Sequence, residues 1–175
     1  MDFDREQKEI LDLSAQLDKI HGRSWYKYKG DRINRKIIKL LNPYVVKEKC
    51  SIAGPSVYIS RCPTEFDALI VKENSTPLEG TNEYKLEDVK LLIEIKKHGF
   101  YFKKIEGKYE INNYFQQFRS VGKPFIYLTV KESQKFINMT KEVLKDNSFF
   151  LCVSNGEPKL EEWEKFVERT LHLLK

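Results

Sequence analysis

Apolar positions along this chain follow two periods. Over residues 4–20, Ile10, Leu13, Leu17 and Ile20 fall on one stripe at helical spacing, which predicts an amphipathic helix ended by Gly22. A second helix is predicted over 31–41, with Ile33, Ile37, Leu40 and Leu41 inward and Asn42-Pro43 as its stop. Tyr44 to Ser51 then reads as a strand, Ala53-Gly54-Pro55 as a turn and Val57 to Ser60 as a short strand. Two runs follow in which consecutive residues are apolar. One is Phe66 to Val71, with a single acid, Asp67, near its start; the other is Leu91-Leu92-Ile93, which runs into Glu94-Ile95-Lys96. Apolar residues on both faces suit central strands covered on two sides.

Between these strands, residues 73–88 carry Asn74, Pro77 and Gly80 and read as a polar surface insertion. Beyond them the pattern predicts a helix over 111–121, strands at Pro124 to Val130 and Phe149 to Val153, and a helix near 133–146 between the two. Asn155-Gly156-Glu157-Pro158 leads into a last helix with the stripe Leu160, Trp163, Val167, Leu171 and Leu174. The order is helices, a meander of strands, then alternating helix and strand. It predicts an α/β sandwich, a mixed central sheet flanked by helices. A length of 175 residues suits one domain, with a leading helix at 1–22, an inserted loop at 73–88 and a closing helical segment at 156–175. No repeat or low-complexity tract interrupts it.

Composition narrows the classes. With 41% hydrophobic and 33% charged residues the chain reads as a globular protein, and no apolar run approaches the roughly 20 residues that span a bilayer. The acidic amino terminus does not resemble a signal peptide. Cys50, Cys62 and Cys152 are odd in number and lack metal-ligand spacing, which points to a reduced, cytoplasmic setting. His21, His98 and His172 show no ligand spacing either, and there is no Gly-rich phosphate loop or nucleophile elbow.

The net charge of +5 is unevenly placed. Asp2 to Ile20 holds three Lys/Arg against six Asp/Glu, whereas Arg23 to Lys49 holds nine against two. Basic residues interleave with aromatics in Trp25-Tyr26-Lys27-Tyr28-Lys29 and again in Lys96 to Lys104, around Phe100-Tyr101-Phe102. Such runs neutralise phosphates and stack on bases. Lys27, Lys29, Arg32, Arg35, Lys97, His98, Lys103 and Lys104 are therefore the candidate nucleic-acid contacts. The alternative for each run is aromatics in the core and lysines in water.

The candidate chemistry lies at the two apolar strands. Alternation puts Glu94 and Lys96 on one face, about 7 Å apart. Antiparallel pairing that opposes Asp67 to Glu94 sets Leu69 against Leu92 and Val71 against Lys90. Two carboxylates and an ammonium then converge at one end of an apolar ladder. Mg²⁺ (or Mn²⁺) takes oxygen ligands and few carboxylates, so Asp67, Glu94 and the Ile95 carbonyl form a candidate metal set. Lys96 is placed to orient or deprotonate a water, the second role requiring a lowered pKa. The alternative is that these are solvated charges at strand ends, where lysines also discourage edge pairing.

The pattern Asp67 … Glu94-Ile95-Lys96 resembles the active-site signature of the PD-(D/E)XK, or restriction-endonuclease-like, nuclease superfamily. The dipeptide before Asp67 is Glu65-Phe66, with Pro63 a few residues earlier rather than adjacent. Gly30 to Ile38 is similar to the opening helix of archaeal Holliday-junction resolvases of that superfamily, and restriction-type endonucleases share the wider pattern. Tyr114 to Phe118 fills the place of the family's helix after the Glu-x-Lys strand, and Pro124 to Val130 that of the strand beyond.

The resemblance implies a three-layer restriction-endonuclease-like sandwich and a Mg²⁺-dependent endonuclease acting on double-stranded or branched DNA, as a homodimer. Asp67 and Glu94 would hold metal, Lys96 would handle the water, and Gln116 or Gln117 would assist. Asn34 stands where the family's first glutamate belongs. Three readings follow: Asn34 is tolerated; Glu6, Glu9 or Glu48 substitutes; or the protein binds nucleic acid without cutting. A partner-binding structural protein, its basic runs meeting an acidic surface, is the alternative from another class.

Overall fold

The computed structural model describes residues 2–20, 25–98, 102–105, 108–111 and 113–175, with the side chains of 102–105, 108–111 and 113–116 left out. Two helices, α1 (Phe3–Asp18) and α2 (Tyr26–Lys47), precede the strands β1 (Cys50–Ala53), β2 (Val57–Ile59), β3 (Glu65–Phe66), β4 (Ala68–Lys72), β5 (Glu83–Tyr84) and β6 (Val89–His98). A hairpin of β7 (Phe102–Ile105) and β8 (Lys108–Ile111) leads to α3 (Asn113–Ser120). Strand and helix then alternate through β9 (Phe125–Glu132), α4 (Gln134–Leu144), β10 (Ser148–Val153) and α5 (Glu162–Leu174).

The central sheet runs β1-β4-β6-β9-β10. The pairs β1/β4 and β4/β6 are antiparallel, and β6/β9 and β9/β10 are parallel, so the sheet is mixed. Its two faces explain the consecutive apolar runs. Ala68, Ile70, Leu91, Ile93, Ile95, Ile126 and Leu128 face the layer of α1, α2 and α5, where Ile10, Ile33, Ile37, Trp163 and Phe166 complete the core. Leu69, Val71, Val89 and Leu92 face the other way, toward Phe118 of α3, and Tyr127 and Phe150 pack on Ile137 and Leu144 of α4. This is the α/β sandwich, a mixed central sheet flanked by helices, that the hydrophobic pattern implies. Among the described residues no helix is long and apolar enough to cross a membrane.

The boundaries depart from the sequence reading in several places. Helix α2 does not stop at Asn42-Pro43; it continues through Pro43 to Lys47, so that Tyr44 to Lys47 is helix and the strand begins only at Cys50. Pro43 cannot donate to the Lys39 carbonyl, but both residues are exposed, so water can satisfy that acceptor. The last turn is held by burial of Leu41, Tyr44 and Val45 and by the Tyr44 hydroxyl donating to Glu6 Oε2 at 2.8 Å.

Residues 73–88 are more than an excursion: β5 pairs in parallel with β2 in a small second sheet, β3-β2-β5. In β4/β6 the pairing Leu69↔Leu92 holds, but an irregularity between Ile70 and Val71 sets Val71 against Val89 rather than Lys90. Leu160 lies before α5 and is 78% exposed, whereas Trp163, Phe166, Val167 and Thr170 form the buried stripe. Gly22, Phe100 and Tyr101 lie outside the described residues.

Candidate active site

Asp67 is where the two sheets part. The chain bends there, between β3, which pairs in the small sheet, and β4, which pairs in the central one. The bend takes Asp67 out of the ladder and leaves its carboxylate to gather donors. The Ile95 N–H donates to Asp67 Oδ2 at 2.9 Å, Lys96 Nζ lies 3.0 Å from the same oxygen, and Asn34 Nδ2 donates to Oδ1 at 2.9 Å. Period-two alternation brings Glu94 to the same side, and Lys96 Nζ sits 2.5 Å from Glu94 Oε1. The ammonium thus lies between the two carboxylates.

Gly54 supports this arrangement from behind. A Cβ there would stand 2.7 Å from the Asp67 carbonyl oxygen, so only glycine lets the β1–β2 connection pass this close.

Burial dominates the electrostatics. Glu94 is 1% exposed. Desolvation, then the nearby Asp67 charge, push its carboxyl up to about 8, against the opposing pull of Lys96. Glu65, two residues before Asp67, is held below the usual carboxylate range by a hydrogen bond from the Tyr58 hydroxyl, whose oxygen is 2.7 Å away, and by one from Ser56. His98 is pushed down by burial and by Lys97, with Asp18 opposing.

A cleft of about 750 Å³ opens over Asn34, Glu65, Asp67, Lys96 and His98, with Glu94 buried beneath rather than in its lining. The candidate contacts divide around it. Lys27, Lys29, Lys97 and His98 line it. The buried Lys29 ammonium donates to the Ile20 carbonyl at 2.5 Å, and Lys97 is ion-paired with Asp18. Arg32 and Arg35 lie exposed on α2. Lys103 and Lys104 are on β7 and Gln116 is in α3, their side chains outside the described residues. Gln117 is exposed, and its Oε1 accepts from the Thr64 hydroxyl at 3.2 Å.

The three acids suggested as substitutes for the missing glutamate are elsewhere. Glu6 accepts from Tyr44 and Trp163, Glu9 pairs with Lys36, and Glu48 follows the end of α2; none lines the cleft. Asp18, Asp31 and Glu65 do line it and were not singled out from the sequence. Asp31 carried a usable signal, standing three residues before Asn34 on one helix. Asp18 carried none.

The donor set suits a hard divalent cation. Mg²⁺ needs only one or two carboxylates from protein, and Asp67 and Glu94 supply two. Asn34 is 5% exposed, and its Oδ1 is a buried acceptor with no hydrogen-bond partner, a cost that a cation or its water would relieve. Among the described residues no group of three or more His, Cys, Asp or Glu forms a self-sufficient metal cluster. The site therefore fits a cation that keeps much of its water.

Neither a protein-family model nor a curated protein matches this chain. Among the solved structures similar to it are two of NucC. One is NucC of P. aeruginosa ATCC27853 in its cAAA-bound form, with a TM-score of 0.59, 12% identity, and coverage of 98% of this chain and 88% of that one. The other is NucC of E. coli MS115-1, also cAAA-bound, with a TM-score of 0.59, 14% identity and the same coverages. At that identity the likeness is one of fold.

Proposed function

We propose that this protein is a metal-dependent nuclease of the PD-(D/E)XK type that hydrolyses phosphodiester bonds in DNA. One observation carries the reading: Asp67, Glu94, Lys96 and Asn34, drawn from α2, the β3–β4 bend and β6, meet within hydrogen-bond distance under an open cleft. The fold shared with NucC supports it. The nearer resemblance to archaeal resolvases rests on Gly30 to Ile38 alone.

Asp67 and Glu94, with the Asn34 carboxamide oxygen, would hold the cation. When bound, the cation supplies Lewis acidity and charge neutralisation at the phosphate. The chain's own groups do the rest. Asp67 is fixed by the Ile95 N–H and the Asn34 amide, so its position is set before substrate arrives. Lys96 is the donor next to the carboxylates, placed to hydrogen-bond the attacking water or a phosphate oxygen as negative charge builds there. Asn34 contributes a neutral oxygen where a glutamate would contribute a charge, which weakens the hold on the cation. Cutting both strands of a duplex calls for two such sites, hence a homodimer, which sedimentation would test.

A second reading, a nucleic-acid-binding protein that no longer cuts, is favoured by Asn34. Nicking of supercoiled plasmid with Mg²⁺ or Mn²⁺ separates the two. Nicking by the native chain that Lys96→Ala abolishes supports the nuclease. Nicking seen only after Asn34→Glu supports the disabled site.

A further inference from the structure

The rim of the cleft carries an aromatic cluster that the proposed chemistry does not use. Trp25 is 47% exposed, Tyr26 68% and Tyr28 39%, three large rings in four residues at the start of α2. Trp25 meets Tyr28 edge-on at 5.4 Å between centroids, and the Arg32 guanidinium lies 5.8 Å from the Tyr28 ring centroid. Tyr26 lines the cleft that holds Asp67 and Lys96. Large exposed aromatics grouped in this way mark a binding surface.

Helix periodicity continues the feature. Tyr28, Arg32, Arg35 and Lys39 recur at helical spacing and all are exposed, making one stripe about 16 Å long down α2. The helix holds seven Lys/Arg and one acid, Asp31. A surface of rings leading into a basic track has the chemistry of a single-strand platform: π faces for bases, cations for the backbone. Bases inside a duplex stack on each other and offer a protein only their edges, so open ring faces are of use to unpaired bases.

We propose that the start of α2 is a stacking platform for unpaired nucleotides, and that the substrate carries a single-stranded stretch, as in a gap, flap or branch, beside the bond to be cut. This rests on the nuclease reading of the cleft and specifies its substrate. Trp25 and Tyr26 stack on bases, and the Arg32–Lys39 stripe carries the phosphates of the strand leaving the cleft.

The test is fluorescence anisotropy in chelator, where nothing is cut. One labelled sequence is offered as a single strand, a duplex and a gapped duplex. The single strand and gapped duplex are expected to bind more tightly than the duplex. Tyr26→Ala and Trp25→Ala should each lose about tenfold on those two forms and little on the duplex, while Tyr26→Phe binds as the native chain does. Arg32→Ala with Arg35→Ala should weaken all three forms alike and flatten the salt dependence. Unchanged melting confirms that these exposed substitutions leave the fold intact. Equal binding of duplex and gapped duplex, or aromatic variants that bind like the native chain, would overturn the proposal. Binding is read without cation and nicking with it. Loss of the strand preference with Lys96-dependent nicking intact sinks this inference alone. A preserved preference without nicking of either the plasmid or the gapped duplex supports the platform and sinks the nuclease reading.

Discussion

Substituting Gly54 tests whether the site is held in place by backbone contact. Gly54 has φ of +149°, a conformation that L side chains rarely adopt. A Cβ there would stand 2.7 Å from the Asp67 carbonyl oxygen, 2.9 Å from Ile38 Cδ1 and 3.3 Å from the Ala68 Cα. Ordinary contact begins near 3.4 Å, so the carbonyl is about 0.7 Å too close. The Ile38 methyl can rotate away. The Asp67 carbonyl cannot, because β3 and β4 hold it from both sides in different sheets.

Overpacking of this kind costs about 1–3 kcal/mol, and the backbone conformation adds about 1 kcal/mol more. Gly54→Ala should therefore lose about 2–4 kcal/mol in urea unfolding, with an unchanged m-value. It should also move Asp67 and lengthen its bonds to Asn34, Ile95 and Lys96, so cation affinity and nicking should fall further than the fraction unfolded explains. Adding Ile38→Val removes the clashing Cδ1 but not the carbonyl clash. If that second change restores both stability and nicking, or if Gly54→Ala alone is neutral in both, the argument that Gly54 positions Asp67 is wrong.

Glu94 gives a pH prediction. Its folded-state pKa of about 8 lies above the ordinary 4.5, so the stability tied to that proton is fully present below about pH 4.5 and is lost as pH rises through 8. In chelator the native chain should lose stability across that window relative to Glu94→Gln; parallel urea profiles at about pH 5 and 8.5 would count against it. Glu6→Ala removes the acceptor for the Tyr44 hydroxyl and Trp163 Nε1, both at 2.8 Å. It should cost about 2–3 kcal/mol in thermal unfolding, with most of that recovered by Glu6→Gln. Burial first, and then the Glu6 hydrogen bond, push the Tyr44 phenol up to about 12, so the same Glu6→Ala change should bring it part of the way down, read by its ultraviolet titration.

Much of the fold is written locally. Runs such as Ala68 to Val71 and Leu91 to Ile93 are apolar at every position, a pattern that suits a strand buried on both faces. The Leu69↔Leu92 pairing follows from opposing the two acids at the ladder's end. What local pattern could not give is where a strand stops pairing. The bend at Asp67 arises because β3 and β4 answer to different sheets, and the β4/β6 register shifts after Ile70. The reading of Pro43 as a stop failed for a related reason. Proline's local penalty was outweighed by Tyr44 and Val45, which bury against α1 and the sheet.

By itself, then, the sequence determined the α/β order of elements and the pairing of Glu94 with Lys96 on one face, because side-chain alternation along a strand is a property of the backbone. It also determined the polarity of charge between the first two helices. The tertiary structure alone decided that Asn34 would meet Asp67 across 33 residues, that Asp18 would take Lys97 across 79, and that Gly54 would lie against the Asp67 carbonyl. Those meetings depend on how layers dock. Docking is set by the summed packing of residues far apart in the chain, which no local period records.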